Sequence, residues 1–186
     1  FFPYNKKLMV KSKDTGGDTF QGARVLVVDD EVSLARSIQR LLRGQRYNIT
    51  LAFSGSEALD TLHQGAVDVI LLDIRMPGMD GLEVLKEVKS RWPDVEVIMM
   101  TAYATVEVAI KAMKEGAFDF LTRPFEHEDI IPLVIRRALE HRNLINRNRY
   151  LQEKLEDRFK FDNIVGHSQR MKEIYRLIER VACLLY

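Results

Sequence analysis

The chain has 186 residues, 46% apolar and 30% charged, a globular balance that excludes disordered and collagen-like classes. Its 28 Lys and Arg against 27 Asp and Glu leave a net charge of +1, so no overall field argues for nucleic acid or a membrane surface. A single cysteine, Cys183, excludes an internal disulfide framework, the histidines lack metal-binding spacing, and no apolar run is long enough to span a bilayer.

The chain begins at Phe1 and reads as a fragment or processed product. Residues 1–22 show no sustained period, and their longest apolar run, Leu8-Met9-Val10, is too short for a signal peptide; a flexible tail is expected. RVLVVD at 24–29 is a short apolar run between Gly22 and acids, which predicts a buried strand. Val32, Ala35, Ile38, Leu41 and Leu42 share one face of a helix over 32–43, with Gly44 as its stop. A second strand is predicted over 47–53. Ser54, with Glu57 three residues on, predicts a capping box for a helix reaching about His63. A third strand is predicted over 67–73. Gly78 and Gly81 punctuate a loop, and Leu82, Val84, Leu85 and Val88 then give a helix ending before Pro93. A fourth strand over 95–101, a helix over 104–115, a fifth strand over 117–122 and a long helix from near Glu128 complete the pattern.

Strands alternating with helices imply βαβ crossovers, hence an α/β fold with one parallel sheet covered on both faces. The block spans 23–143. Spacing alone does not give the strand order.

In such a sheet ligands bind beyond the carboxyl ends of the strands. Asp29-Asp30-Glu31, Asp73, Thr101 and Thr122-Arg123-Pro124 stand at four predicted strand ends, at equivalent heights. Any one of them fits a helix cap or a turn. Together they make an acidic group with a hydroxyl and a cation. Three close carboxylates repel, and one is protonated unless a cation is present. A hard divalent ion such as Mg²⁺ suits them, and with it phosphoryl transfer to a carboxylate. The sequence has neither G-x-G-x-x-G nor G-x-x-x-x-G-K-[ST], so the donor is not expected to be a nucleotide bound by this chain.

The motifs VLVVDDE (25–31), DVILLDIRMPGMDGLEVL (68–85), VIMMTAYAT (97–105) and GAFDFLTRPF (116–125) resemble the receiver domain of bacterial two-component response regulators. The resemblance implies a flavodoxin-like (βα)5 fold with a five-stranded parallel sheet in the order 2-1-3-4-5. It implies that Asp73 accepts phosphate from a sensor histidine kinase. Asp30 and Asp73 would hold Mg²⁺ with the backbone carbonyl of Arg75, and Asp29 would act mainly through water. Thr101 and Phe120 would be the switch pair, and the face of the fourth helix, fifth strand and fifth helix would carry the output. One position departs from the family: Arg123 stands where Lys is usual, a planar fork in place of a point charge. The Arg123–Pro124 bond is a candidate cis peptide by the same resemblance.

Beyond the receiver, Leu144, Asn148, Leu151 and Leu155 step by four, three and four, a coiled-coil spacing. Residues 144–162 are therefore read as a linker helix and dimerisation coiled coil, against the alternative of a solvated helix. Arg136, Arg137, Arg142, Arg147 and Arg149 suit DNA or, as favoured here, a solvated face. Residues 163–186, with a Ser168 N-cap and an apolar side of Met171, Ile174, Tyr175, Ile178 and Val181, resemble the truncated start of the AAA+ domain of sigma-54 activators. The expectation is the cytoplasmic regulatory half of a nitrogen-regulator-type activator, not an enzyme in its own right. Its expected partners are a sensor kinase and a second copy; in the full-length parent they are ATP, sigma-54 RNA polymerase and DNA. The alternative is a phosphate-independent receiver-like binding module. An aspartyl phosphatase would need a general acid two residues after the nucleophile, where Arg75 is a poor proton donor.

Overall fold

The Val- and Leu-rich runs fold as five parallel strands: β1 (Arg24–Val28), β2 (Asn48–Ala52), β3 (Val69–Asp73), β4 (Glu96–Thr101) and β5 (Asp119–Thr122). Their order is β2-β1-β3-β4-β5, as the receiver resemblance implies. The structure is a computed structural model that describes residues 20–102, 105–125, 127, 129–159, 173, 174, 176 and 177. Helices α1 (Val32–Leu41), α2 (Gly55–Gln64), α3 (Gly81–Arg91), α4 (Val106–Lys114) and α5 (Ile130–Phe159) follow the five strands in turn.

Side chains alternate across the strands and build two cores. Leu26, Val28, Ile70, Leu72, Val97 and Met99 face one core, which takes Ala58, Leu62, Val84, Leu85, Val88 and Ala112 from α2, α3 and α4. Val25, Val27, Val69, Leu71, Ile98 and Met100 face the other, with Ala35 and Ile38 of α1 and Ile131, Val134, Ile135 and Ala138 of α5. Strands β3 and β4 are buried at every residue, which is why they read as unbroken apolar runs.

Several element ends differ from the sequence expectation. Helix α1 stops at Leu41, and Leu42–Gln45 tighten into a 3-10 turn; Arg46, at φ 55°, turns the chain rather than Gly44. The capping box expected at Ser54 closes by half. Ser54 Oγ accepts from the Glu57 N–H at 3.2 Å, but the Glu57 carboxylate accepts from the Phe53 N–H at 2.6 Å, one residue before the cap. A complete box stands instead at the start of α3, between Asp80 and Glu83. Helix α4 is capped by Thr105; the expected starts at Ala104 and Glu128 lie outside the described residues.

The chain divides after Arg142 into two units. In the second, residues 143–159 are helical, with Leu144, Ile145, Tyr150, Leu151 and Leu155 exposed. Glu173, Ile174, Arg176 and Leu177 are helical too. The expected tail over 1–19, the end of the linker over 160–162, the Ser168 cap and most of 163–186 lie outside the described residues.

Candidate functional site

Asp29 leaves β1 and Asp73 ends β3. These strands are neighbours in register, Val28 beside Leu72, so the two carboxylates meet at the carboxyl edge of the sheet. Both are buried at 1% exposure, while Asp30 is exposed. One carboxylate oxygen from each of Asp29, Asp30 and Asp73 lies within 4.8 Å of the other two. Asp29 Oδ1 accepts from the Glu31 N–H at 2.9 Å, which turns the chain into α1 without a side-chain cap at Glu31.

Arg123 comes from the same carboxyl edge, just past the edge strand β5 and two strands from β3. Its backbone N–H donates to the Thr101 carbonyl at 2.7 Å, and the Arg123–Pro124 peptide is cis. Its Nη1 donates to Asp29 Oδ2 at 2.9 Å and its Nη2 to Asp73 Oδ1 at 2.7 Å. The buried Nε finds no acceptor among the described residues.

One guanidinium does not neutralise this pocket. Burial pushes the Asp73 carboxyl up to about 6; Arg123 pulls it down, and Asp29 and Asp30 push it up further. Burial also raises Asp29, against the Glu31 hydrogen bond and the charge of Arg123. The pocket is an anionic site short of positive charge. Its donors are hard carboxylate oxygens, which fit Mg²⁺.

Thr101 is buried at the end of β4, one residue beyond the Asp73–Met100 pair, and pairs with Thr122. Arg75 is exposed, two residues past Asp73. Phe120 pairs with Met99 and packs, partly buried, against the core on the side of α2, α3 and α4. The structure thus brings Asp29, Asp30, Asp73 and Arg123 together, sets Thr101 on the next strand, and puts Phe120 against that core.

The response regulator receiver domain family matches residues 25–135, more than half of the chain. The chain belongs to that family. This receiver is 41% identical over 128 residues to the transcriptional regulatory protein ZraR of Escherichia coli O157:H7, a match covering 69% of the chain and 29% of ZraR. It is 38% identical over 158 residues to the DNA-binding transcriptional regulator NtrC of Klebsiella pneumoniae, covering 84% of the chain and 32% of NtrC. Among solved structures, NtrX from Brucella abortus in complex with ADP superposes with a TM-score of 0.68 at 33% identity, covering 87% of this chain and 36% of that one. The chain therefore spans about a third of the length of these relatives.

The receiver also depends on a residue that the sequence marked only as loop punctuation. A Cβ on Gly81 would overlap the Asp73 carbonyl oxygen and sit 2.8 Å from the Ile74 Cα. The Gly81 N–H donates to the Ile74 carbonyl at 2.8 Å, drawing the start of α3 onto the end of β3. Only glycine permits that approach. The signal was available as Asp80-Gly81 followed by Glu83, a cap and a close-contact glycine in one motif.

Proposed function

We propose that the protein accepts a phosphoryl group from a sensor histidine kinase on Asp73 and, through dimerisation, controls a sigma-54-dependent transcriptional activator in the cytoplasm. The observation that carries this reading is Asp73 itself: a buried carboxylate at a sheet edge, flanked by two more acids and one cation. In the transfer, an Asp73 carboxylate oxygen bonds to phosphorus as the P–N bond of the donor phosphohistidine breaks, and the imidazole leaves with the bonding pair. Asp30, Asp73 and the Arg75 carbonyl would hold Mg²⁺, with Asp29 acting through water. The ion would supply charge neutralisation for the phosphoryl oxygens.

The chain's own groups do the rest. Arg123 offers its guanidinium to a phosphoryl oxygen once Asp73 carries the acyl phosphate. The Thr101 hydroxyl donates to another, and Phe120 moves with it. The α4, β5 and α5 face and the exposed Leu144, Leu151 and Leu155 then form the contact between copies, with Asn148 fixing their register. No helix among the described residues is long and apolar enough to cross a membrane, which suits a cytosolic partner set. ATP, sigma-54 RNA polymerase and DNA are partners of the longer parent by the same reading. The two-point hold of Arg123 on Asp29 and Asp73 favours a second reading, a binding module that switches by protein contact without phosphate.

Light scattering with and without beryllofluoride and Mg²⁺, an aspartyl-phosphate mimic, separates the two. A change of mass that Asp73→Asn abolishes is the expected result. An unchanged mass in both proteins would sink the phosphate switch and leave the binding module.

A further inference from the structure

We infer that Arg123 is a built-in competitor for the divalent cation, clamping Asp29 and Asp73 in the resting pocket and setting the metal concentration at which the site becomes usable. The inference rests on the reading of Asp30 and Asp73 as metal ligands, with Asp29 acting on the ion through water.

The fork engages both buried carboxylates at once, Asp29 at 2.9 Å and Asp73 at 2.7 Å, and its side chain is 15% exposed. At that depth solvent and salt screen the ion pairs weakly. Both oxygens of Asp29 already accept a hydrogen bond, one from the fork and one from the Glu31 N–H. A cation entering among the three acids must therefore draw charge from carboxylates already engaged. The guanidinium cannot yield by losing its proton, because arginine stays charged in proteins. It must move.

The geometry also shows what holds it. Only the two terminal nitrogens are paired, and the buried Nε has no acceptor among the described residues. Among the described residues the guanidinium is thus oriented by the two carboxylates, at the cost of a buried donor left unsatisfied. When the carboxylates turn to a metal, the fork loses its hold. A lysine ammonium is a compact point charge with rotating donors, and it can keep one acid while releasing the other. The planar fork fixes two acids together, so it competes harder.

Mn²⁺ is the probe, because electron paramagnetic resonance counts the free ion directly. The full chain is titrated as the parent, as Arg123→Lys and as Arg123→Gln. Both variants should bind Mn²⁺ about tenfold more tightly than the parent, the worth of one charged hydrogen bond released from the acids, with Mg²⁺ displacing it in all three. In a thermal melt, Mg²⁺ should raise the midpoint of each variant by more than it raises the parent's. Arg123→Lys keeps a cation beside the buried acids, so it remains an informative comparison where Arg123→Gln is poorly folded. Equal or weaker Mn²⁺ binding by a folded variant overturns the competition while the metal site stands. Saturable binding absent from the parent and Arg123→Lys alike, or present and unaffected by Asp30→Asn, overturns the competition and the metal reading together.

Discussion

Asp73 keeps its carboxyl near pH 6 even with a guanidinium 2.7 Å away, because burial and the Asp29 charge outweigh one partner. Its folded pKa is raised above the unfolded one, so the native state holds this proton more tightly. Stability from that proton is complete below about pH 4 and is lost as pH rises to about 6. In metal-free buffer, Asp73→Asn should therefore be more stable than the parent at pH 7, by up to about 3 kcal/mol, with the difference vanishing near pH 4. Urea unfolding across that range checks it; a gap that widens toward pH 4 would show the sign to be wrong. Gly81 is the other residue on which the pocket depends. Gly81→Ala drives a methyl into the Asp73 carbonyl and should cost about 1–3 kcal/mol in the same assay. The four charged pocket residues were legible because strand ends mark one edge of a parallel sheet. The hydrogen-bond pairing was not, since a two-point hold depends on side-chain reach rather than on spacing.

Helix α5 shows what element-level patterns miss. Its face toward the sheet is set by Ile131, Val134, Ile135 and Ala138, at the i, i+3, i+4, i+7 steps that predict a helix. Arg142 read, with the other arginines of the helix, as a solvated face in preference to a DNA contact, and His141 carried no reading beyond its lack of metal-binding spacing. In the structure His141 Nδ1 lies 2.7 Å from Glu96 Oε1, and Arg142 bonds Asp68 Oδ1 at 2.7 Å and the Asp94 carbonyl at 2.8 Å. Arg24 meets the same Asp68 through its backbone N–H and its side chain. Burial pushes Asp68 up, but the Arg24 hydrogen bonds and the Arg142 and Arg24 charges pull it further down, so it sits below the usual carboxylate range. That stabilisation is present above an unfolded pKa of about 3.9 and is lost as pH falls through the lower folded value. Arg142→Ala should destabilise the receiver by about 1–2 kcal/mol at pH 7, discounted for its partial exposure, and by less under acid. An equal loss at pH 7 and pH 3 in denaturant melts would contradict the ion-pair account. The long sequence separation of Asp68 from both arginines is why local periodicity gave no sign of the network.

At the scale of the molecule, the alternation of apolar strands with amphipathic helices carried the fold class, and the receiver motifs carried the strand order. Element ends drifted by a residue or two because hydrogen bonds such as Glu31 N–H to Asp29, not hydropathy, decide where a strand yields. The contact between Arg123 and Asp29 joins residues 94 apart in sequence, nearly the whole length of the receiver. Contacts of that separation form only after the intervening chain has been gathered in. A growing chain therefore holds Asp29 and Asp73 without their counter-ion until β5 has docked. The charge balance of the pocket is thus tied to the docking of the edge strand, because the side chain that reaches both buried acids arrives with the residue just past β5.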